Sequence, residues 1–152
     1  MHITRYTDYS LRVLLFTALK GEQRSTIAEI AERYDISRNH LMKVVQELNR
    51  KGYLQATRGK NGGLILKKRP EDINLGKLVR DTEQDLVLVE CFGPANRCVI
   101  TPACRIKLLL AKALDAFFGV LDQYTLADLI ENPQERRELI RLLQINEPVP
   151  VD

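Results

Sequence analysis

Two short segments with helical periodicity, joined by a tight connection, occupy residues 26–52 of this chain. Thr26 and Glu29 have the spacing of a capping box, and Ser37 stands where a second helix needs its N-cap. The apolar positions recur at helical spacing, and they are Ile27, Ile30, Ala31 and Tyr34 in the first segment and Leu41, Val44, Val45 and Leu48 in the second. Two short helices joined in this way predict a helix-turn-helix, whose second helix enters the major groove of DNA.

A glycine-rich hairpin is predicted immediately after the second helix. Strand-like segments at 53–56 and 64–66 flank the turn RGKNGG, and Gly52 ends the helix before them. A hairpin in this place is the wing of a winged helix. An earlier helix at 6–20 completes the packing, and we expect its core-facing positions to be Leu11, Leu14, Leu15 and Ala18. The sequence therefore predicts a mainly α fold, in which residues 1–70 form a winged helix-turn-helix DNA-binding domain with a β-hairpin wing.

The second helix presents a polar, cationic face opposite its apolar stripe. Asn and Gln can pair with adenine, and Arg and Lys suit guanine or phosphate. A solvated surface is the alternative interpretation of such a face, but cations and glycines in the wing add groups that suit the minor groove or the DNA backbone. The candidate DNA-binding residues are Ser37, Arg38, Asn39, His40, Lys43, Gln46 and Arg50 on the helix and Arg58, Lys60, Asn61 and Gly62 in the wing.

Charge is divided unevenly along the chain. Residues 1–70 carry 14 Lys and Arg against 6 Asp and Glu, whereas residues 71–152 carry 9 against 14. A segregated basic block favours a polyanionic partner, and the helix-turn-helix makes that partner double-stranded operator DNA. We expect no enzymatic activity, because the two histidines, His2 and His40, leave little for a nucleophile and its base.

The second half, 71–152, is predicted to hold a cysteine-bearing loop and a dimerisation helix. Asn74 can cap a short helix, and residues 86–89 form an apolar run without a clear period. A strong helix is predicted at about 105–124. It has more apolar positions than one small domain needs to cover. We expect part of this stripe to pack on a second copy, which predicts a palindromic operator read by two helices about 34 Å apart. The alternative is a helix folded back on its own winged domain.

The last segments of the chain give weaker signals. Residues 125–130 are predicted to form a short helix, Asn132 and Pro133 to begin another, and the end from Pro148 to be frayed. No run of about 18 apolar residues could span a membrane, and the N-terminus lacks a basic segment leading into an apolar one. We therefore expect a cytoplasmic protein with no membrane partner.

All three cysteines, Cys91, Cys98 and Cys104, lie in the segment CFGPANRCVITPAC, the predicted cluster loop 91–104. Clustered cysteines in such a chain indicate metal or redox chemistry rather than a disulfide scaffold. Because Gly and Pro shape the loop, three thiolates can surround one object. Thiolates bind both iron–sulfur clusters and zinc, so the spacing alone leaves a cluster, zinc, a thiol switch and structural cysteines as interpretations.

Five segments together resemble the Rrf2 family of iron–sulfur winged-helix regulators, and within it the nitric-oxide-sensing repressors. They are TDYSLR, ISRNHLMKVV, TRGKNGGLIL, CVITPACRIK and YTLADLI, so the resemblance covers nearly the whole chain. It implies a homodimeric repressor whose cluster-loaded form binds operator DNA and whose nitric-oxide-damaged form releases it. The alternative function is a regulator of the same family that responds to cluster occupancy, iron or oxygen.

The resemblance also implies a set of cluster ligands. The three cysteines hold an iron–sulfur cluster, with the 4Fe-4S form preferred over the 2Fe-2S form, and a fourth ligand is needed. Asp8 precedes Leu11 and Leu15 on the first predicted helix, so its side chain is expected to face packed protein. A helix-capping role is the alternative for this carboxylate. In the family, an aspartate in the TDY context completes the cluster from the partner subunit, and Asp8 occupies the matching position.

Overall fold

The computed structural model describes residues 1–146, so the predicted frayed end from Pro148 lies outside the described residues. Six α-helices and one antiparallel hairpin follow each other as α1 (Arg5–Lys20), α2 (Ile27–Tyr34), α3 (Arg38–Arg50), β1 (Leu54–Thr57), β2 (Gly63–Leu66), α4 (Leu75–Thr82), α5 (Arg105–Leu121) and α6 (Pro133–Leu142). Single 3-10 turns lie at Pro70–Asp72, Glu90–Phe92, Thr101–Ala103 and Ala127–Leu129. The predicted winged helix-turn-helix is confirmed.

Helix α1 packs against the core through a face that differs slightly from the predicted one. Its N-cap is Thr4, whose hydroxyl accepts a hydrogen bond from the backbone N–H of Thr7. Of the four expected core positions, Leu14 and Ala18 are buried, whereas Leu11 and Leu15 are only partly buried. Phe16 and Leu19, with β-branched and small residues of the same helix, complete its buried face, which comprises Thr7, Ser10, Val13, Leu14, Phe16, Thr17, Ala18 and Leu19.

The helix-turn-helix forms as its local signals predict. Thr26 and Glu29 make the capping box of α2, and Asp35 ends that helix in the left-handed conformation with φ 52°. Ser37 occupies the N-cap position of α3 but makes no side-chain capping hydrogen bond. The predicted stripe of α3 is buried in full, and it packs against α1 and α2 in the central core.

The wing is a two-stranded hairpin joined by a bridge to the start of α2. Gln55 opposes Ile65 and Thr57 opposes Gly63 across the hairpin. Leu64 exchanges two backbone hydrogen bonds with Ser25, of 2.7 and 3.0 Å. Gly63 has φ +145°, and a Cβ there would lie 2.8 Å from the Ser25 carbonyl oxygen, so the bridge requires glycine.

The C-terminal segments contribute to the same core. Ile73, Leu78 and Leu126 are fully buried, and Leu143 and Ile145, which follow α6, belong to the same apolar cluster. The predicted helix at 125–130 is reduced to one 3-10 turn, whereas Asn132 caps α6 by accepting from the N–H groups of Gln134 and Glu135. The division of the chain at residue 70 stays a prediction.

Helix α5 begins at the predicted residue and ends three residues earlier than predicted, at Leu121. Phe118 is its one buried residue. Several large apolar side chains stay exposed on it, among them Ile106, Leu108, Leu109, Phe117 and Val120. The run 86–89 forms no regular structure and lines an open apolar groove beside α5. Within residues 1–146, none of the helices is both long enough and apolar enough to cross a bilayer.

The buried stripe of α3 predicts a large loss of stability when it is truncated. Leu48 is fully buried, whereas Met42 on the same helix is 56% exposed. We expect Leu48→Ala to lower the free energy of unfolding by about 2–5 kcal/mol, because it removes buried methyl groups and leaves a cavity. Met42→Ala is the matched control and should change it by less than about 0.5 kcal/mol. Urea unfolding with equal losses in both variants would contradict this core assignment.

Candidate nucleic-acid interface and metal centre

The polar face of α3 is open to solvent. All seven predicted residues from Ser37 to Arg50 are exposed, as the major-groove assignment requires. Arg50 is not free, because its guanidinium donates to Glu47, with Nη2 at 2.7 Å from the carboxylate. His40 lies beside Tyr9 of α1, with ring centroids 6.4 Å apart. Arg38, Asn39, Lys43 and Gln46 therefore form the part of the face best suited to base edges.

The end of α3 is fastened to neighbouring elements. The side-chain oxygen of Asn49 accepts from the backbone N–H of Ala56 at 3.1 Å, which links the helix to β1. Tyr6 of α1 lies near Glu47, and burial, followed by the negative charge of Glu47, raises the pKa of Tyr6. Asn49 is not among the predicted functional residues, although a polar side chain in the last turn of a helix before a strand is a signal for such a link. The helix and the wing therefore have a fixed relation.

The predicted cations at the wing tip are exposed to solvent. Arg58, Lys60 and Asn61 are exposed, and Gly62 is partly buried. A Cβ at Gly62 would overlap the carbonyl oxygen of Thr57, so the turn itself needs this glycine. Gly62 thus shapes the tip, and Arg58 and Lys60 are exposed cations there, of the kind that suits a polyanion.

The cysteine loop is irregular and lies on the surface. Cys91 and Cys104 are partly buried, Cys98 is exposed, and all three are free thiols. Cys104 is the N-cap of α5, and its sulfur accepts from the backbone N–H of Lys107 at 3.5 Å. Among the described residues, no three His, Cys, Asp or Glu side chains converge into a metal-ligating group. The structure therefore places the three thiols in one loop without bringing them together.

A small hydrogen-bond network shapes the loop around Cys98. The side chain of Asn96 accepts from the Cys98 backbone N–H at 3.0 Å and donates to the Thr101 hydroxyl at 2.9 Å. Thr101 in turn donates to the Cys98 carbonyl oxygen at 2.7 Å. Neither Asn96 nor Thr101 is among the predicted functional residues, although Asn and Thr side chains in such loops commonly bond to nearby backbone. Cys98 is consequently held on a local turn.

Asp8 does not face packed protein as expected. Its side chain is 43% exposed and pairs with Arg12 one turn later, with the Arg12 Nη2 at 2.8 Å. The helix-capping alternative is also wrong, since Thr4 caps α1. Arg12 lies 5.7 Å from the ring centroids of both Tyr9 and Tyr34. Burial raises the pKa of Tyr34 to about 12, against the opposing effect of Arg12. Asp8 is thus a reachable surface carboxylate with a cationic partner.

Comparison with known proteins assigns the chain to a family. The Rrf2 model, described as an iron-dependent transcriptional regulator, matches residues 3–132. The HTH-type transcriptional regulator NsrR of Bacillus licheniformis is 52% identical over 92% of this chain and 99% of that protein. NsrR of Geobacillus kaustophilus is 50% identical over 93% of this chain and 97% of its own length.

A solved structure agrees with the fold. CymR, the global cysteine regulator of B. subtilis, superposes with a TM-score of 0.70 at 26% identity and covers 86% of this chain and 97% of that one. The curated relatives are named transcriptional regulators, which confirms the expectation of a DNA-binding regulator rather than an enzyme. This chain combines an exposed recognition helix, a cationic wing and three thiols in its second half. On the family match, it belongs to the Rrf2 family of transcriptional regulators.

Proposed function

We propose that this chain is a cytoplasmic, homodimeric repressor that binds palindromic operator DNA and releases it when nitric oxide damages an iron–sulfur cluster. The observation that carries the proposal is the combination of a solvent-exposed recognition helix with three free thiols in one surface loop. The name of the relatives, NsrR, supports the signal, and the family description supports iron dependence. DNA binding itself follows from the family.

The donor set in the loop fits an iron–sulfur cluster. Three unpaired thiols separated by six and five residues suit thiolate ligation of iron. Cys104 stands at the N-terminus of the 17-residue helix α5, where the helix dipole favours an anionic ligand. Asp8 of the partner subunit would be the fourth ligand in this proposal, and its exposure leaves it reachable. When bound, the cluster supplies iron that reacts with nitric oxide.

In the proposed response, Asp8 would exchange the cluster iron for Arg12 as its partner. As a cluster ligand its carboxylate would be a hard donor among soft thiolates and would hold the iron weakly. On release, Asp8 can return to Arg12, the partner that it has in this structure. Arg12 contacts Tyr9, and Tyr9 lies beside His40 at the start of α3. A change of partner at Asp8 could therefore be transmitted to the DNA-binding face through Arg12, Tyr9 and His40.

Dimerisation through α5 is supported by its unburied apolar surface. Ile106 is 65% exposed, Leu108 63% and Leu109 55% along this one helix, whereas α1, α3 and α4 bury apolar stripes in the core. Exposed apolar patches of this kind mark interaction sites. A second copy placed on α5 would bury them and would set two recognition helices on one face, which a palindromic operator requires.

The signal is tested by comparing what releases the DNA. We expect the anaerobically prepared, cluster-containing protein to lose operator binding on addition of nitric oxide, whereas the metal-free protein binds weakly from the outset. The measurement is fluorescence anisotropy of labelled operator, with visible absorbance as the check on the cluster. If iron chelation or oxygen released the DNA and nitric oxide did not, the chain would instead be an iron-status or oxygen-responsive regulator of the same family.

The ligand set makes its own prediction. We expect Cys91→Ser, Cys98→Ser and Cys104→Ser each to abolish the cluster absorbance, because each removes a thiolate. Asp8→Ala should keep iron but change the spectrum and blunt the response to nitric oxide. Asp115→Ala, an exposed acid on α5, is the control for loss of one carboxylate. An Asp8→Ala protein with both the normal spectrum and normal nitric-oxide-sensitive release would exclude Asp8 as a ligand.

Substitutions in the recognition helix and in the wing should distinguish base contacts from phosphate contacts. We expect Gln46→Ala to cost about 1–3 kcal/mol on the operator and to relax base preference, because a bidentate base contact is lost. Arg58→Ala should weaken all sequences alike and reduce the slope of log affinity against log salt by about 1. Gln134→Ala on α6 is the control and should do neither. Equal losses on operator and random DNA for Gln46→Ala would refute its assignment.

A further inference from the structure

Helix α5 is joined by hydrogen bonds to the preceding helices of its own chain at one end only, within the described residues. Its N-terminal part, 105–117, makes no hydrogen bond or ion pair with residues 1–82 in the part of the chain that the structure describes. At the other end, the Asn74 side-chain amide donates to the Asp122 carbonyl oxygen at 2.8 Å, and the Leu75 backbone N–H donates to the Tyr124 carbonyl oxygen at 3.0 Å. The direction of α5 is therefore set where it meets α4.

Four residues make this junction specific. Arg80 donates two hydrogen bonds to the Asp122 carboxylate, Nη1 to Oδ1 at 2.6 Å and Nη2 to Oδ2 at 2.9 Å. The same guanidinium lies 4.2 Å from the ring centroid of Phe118, the buried residue of α5. Arginine is the residue type that combines a bidentate fork with stacking on an aromatic ring. The fourth residue is Gly76, and we call this set the α4–α5 latch.

Gly76 is the residue that allows the approach. It is buried inside α4, and a Cβ built on it would overlap Oδ1 of Asp122. Glycine inside a helix is destabilising by about 0.5–1 kcal/mol relative to alanine, so its presence here needs a compensating contact. The Asp122 carboxylate occupies the space that a methyl group would fill. Gly76 thus permits a close approach of Asp122 to α4, although the Arg80–Asp122 ion pair itself remains partly exposed.

Helix α4 in turn is fixed to the DNA-binding part. Leu78 and Val79 are buried, and the Tyr53 hydroxyl at the start of the wing donates to Asp81. Glu83, just after α4, accepts from both the backbone N–H and the hydroxyl of Thr4, at 2.8 and 3.0 Å. The path from α5 to α1 and the wing therefore runs through buried side chains and direct hydrogen bonds.

We propose that Gly76, Arg80, Phe118 and Asp122 are positioning residues that set the separation of the two recognition helices in the dimer. The proposal rests on the proposed homodimer through α5. Because α5 joins the two subunits and the latch fixes its direction relative to α4, a small change of angle at the latch moves each recognition helix along the DNA. The latch sets half-site spacing and leaves the reading of each half-site to α3.

The test uses DNA duplexes selected by the wild-type protein from a randomised pool, with the half-site spacing then altered by one base pair in either direction. We expect wild-type protein to prefer the selected spacing. Gly76→Ala, Asp122→Ala and Arg80→Lys should each weaken binding to that spacing about tenfold and lose the preference. Single-base changes within a half-site should be discriminated as by wild type. Thermal midpoints should change little, because exposed ion pairs contribute little to stability.

Two controls separate positioning from general damage. Gly76→Ala added to Asp122→Ala should cost nothing more, since the carboxylate that the new methyl group displaces is already gone. Arg141→Lys, in an exposed ion pair with Glu138 on α6, should keep the wild-type spacing preference. Variants of the latch that keep this preference would overturn the positioning role alone. A wild-type protein that selects single half-sites would contradict the proposed dimer, and the positioning role with it.

Discussion

The burial of one face of α3 is the constraint on which the rest of the structure depends. Leu41, Val44, Val45 and Leu48 are at most 4% exposed, and they pack against α1 and α2. Because a helix has only one orientation that buries such a stripe, the opposite face must point to solvent. The polar residues of α3 are therefore presented without any further device. The bridge from Ser25 to Leu64 and the link from Asn49 to Ala56 then fix the wing beside it.

Local signals in the sequence were sufficient for this half of the molecule. The capping box at Thr26, the apolar stripes and the turn glycines act within a few residues, so they specify helices and a hairpin wherever the chain places them. The predicted core face of α1 was less accurate, because Leu11 and Leu15 border the core while Phe16 enters it. Which side of a helix packs depends on partners distant in sequence, and periodicity alone does not identify them.

Asp8, the α4–α5 latch and the cysteines show where such signals end. Asp8 was expected to face packed protein, but it pairs with Arg12 at the surface, because the tertiary packing of α1 turns that position outward. The α4–α5 latch joins residues more than 40 positions apart, and no local pattern distinguishes Gly76 from any other glycine. The cysteines were recognisable by count and spacing, whereas their arrangement around a shared ligand depends on that ligand and on the partner subunit.

The DNA-binding core packs independently of the cysteine loop, because none of the three thiols belongs to the apolar cluster. Amide hydrogen exchange of the cluster-containing and the metal-free protein tests this most directly. We predict that the amides of α2 and α3 keep the same protection in both forms. Residues 83–104 and the N-terminal part of α5 should lose protection in the metal-free form. Loss of protection throughout α3 on removal of the metal would contradict it, because the recognition helix would then depend on the cluster for its folding.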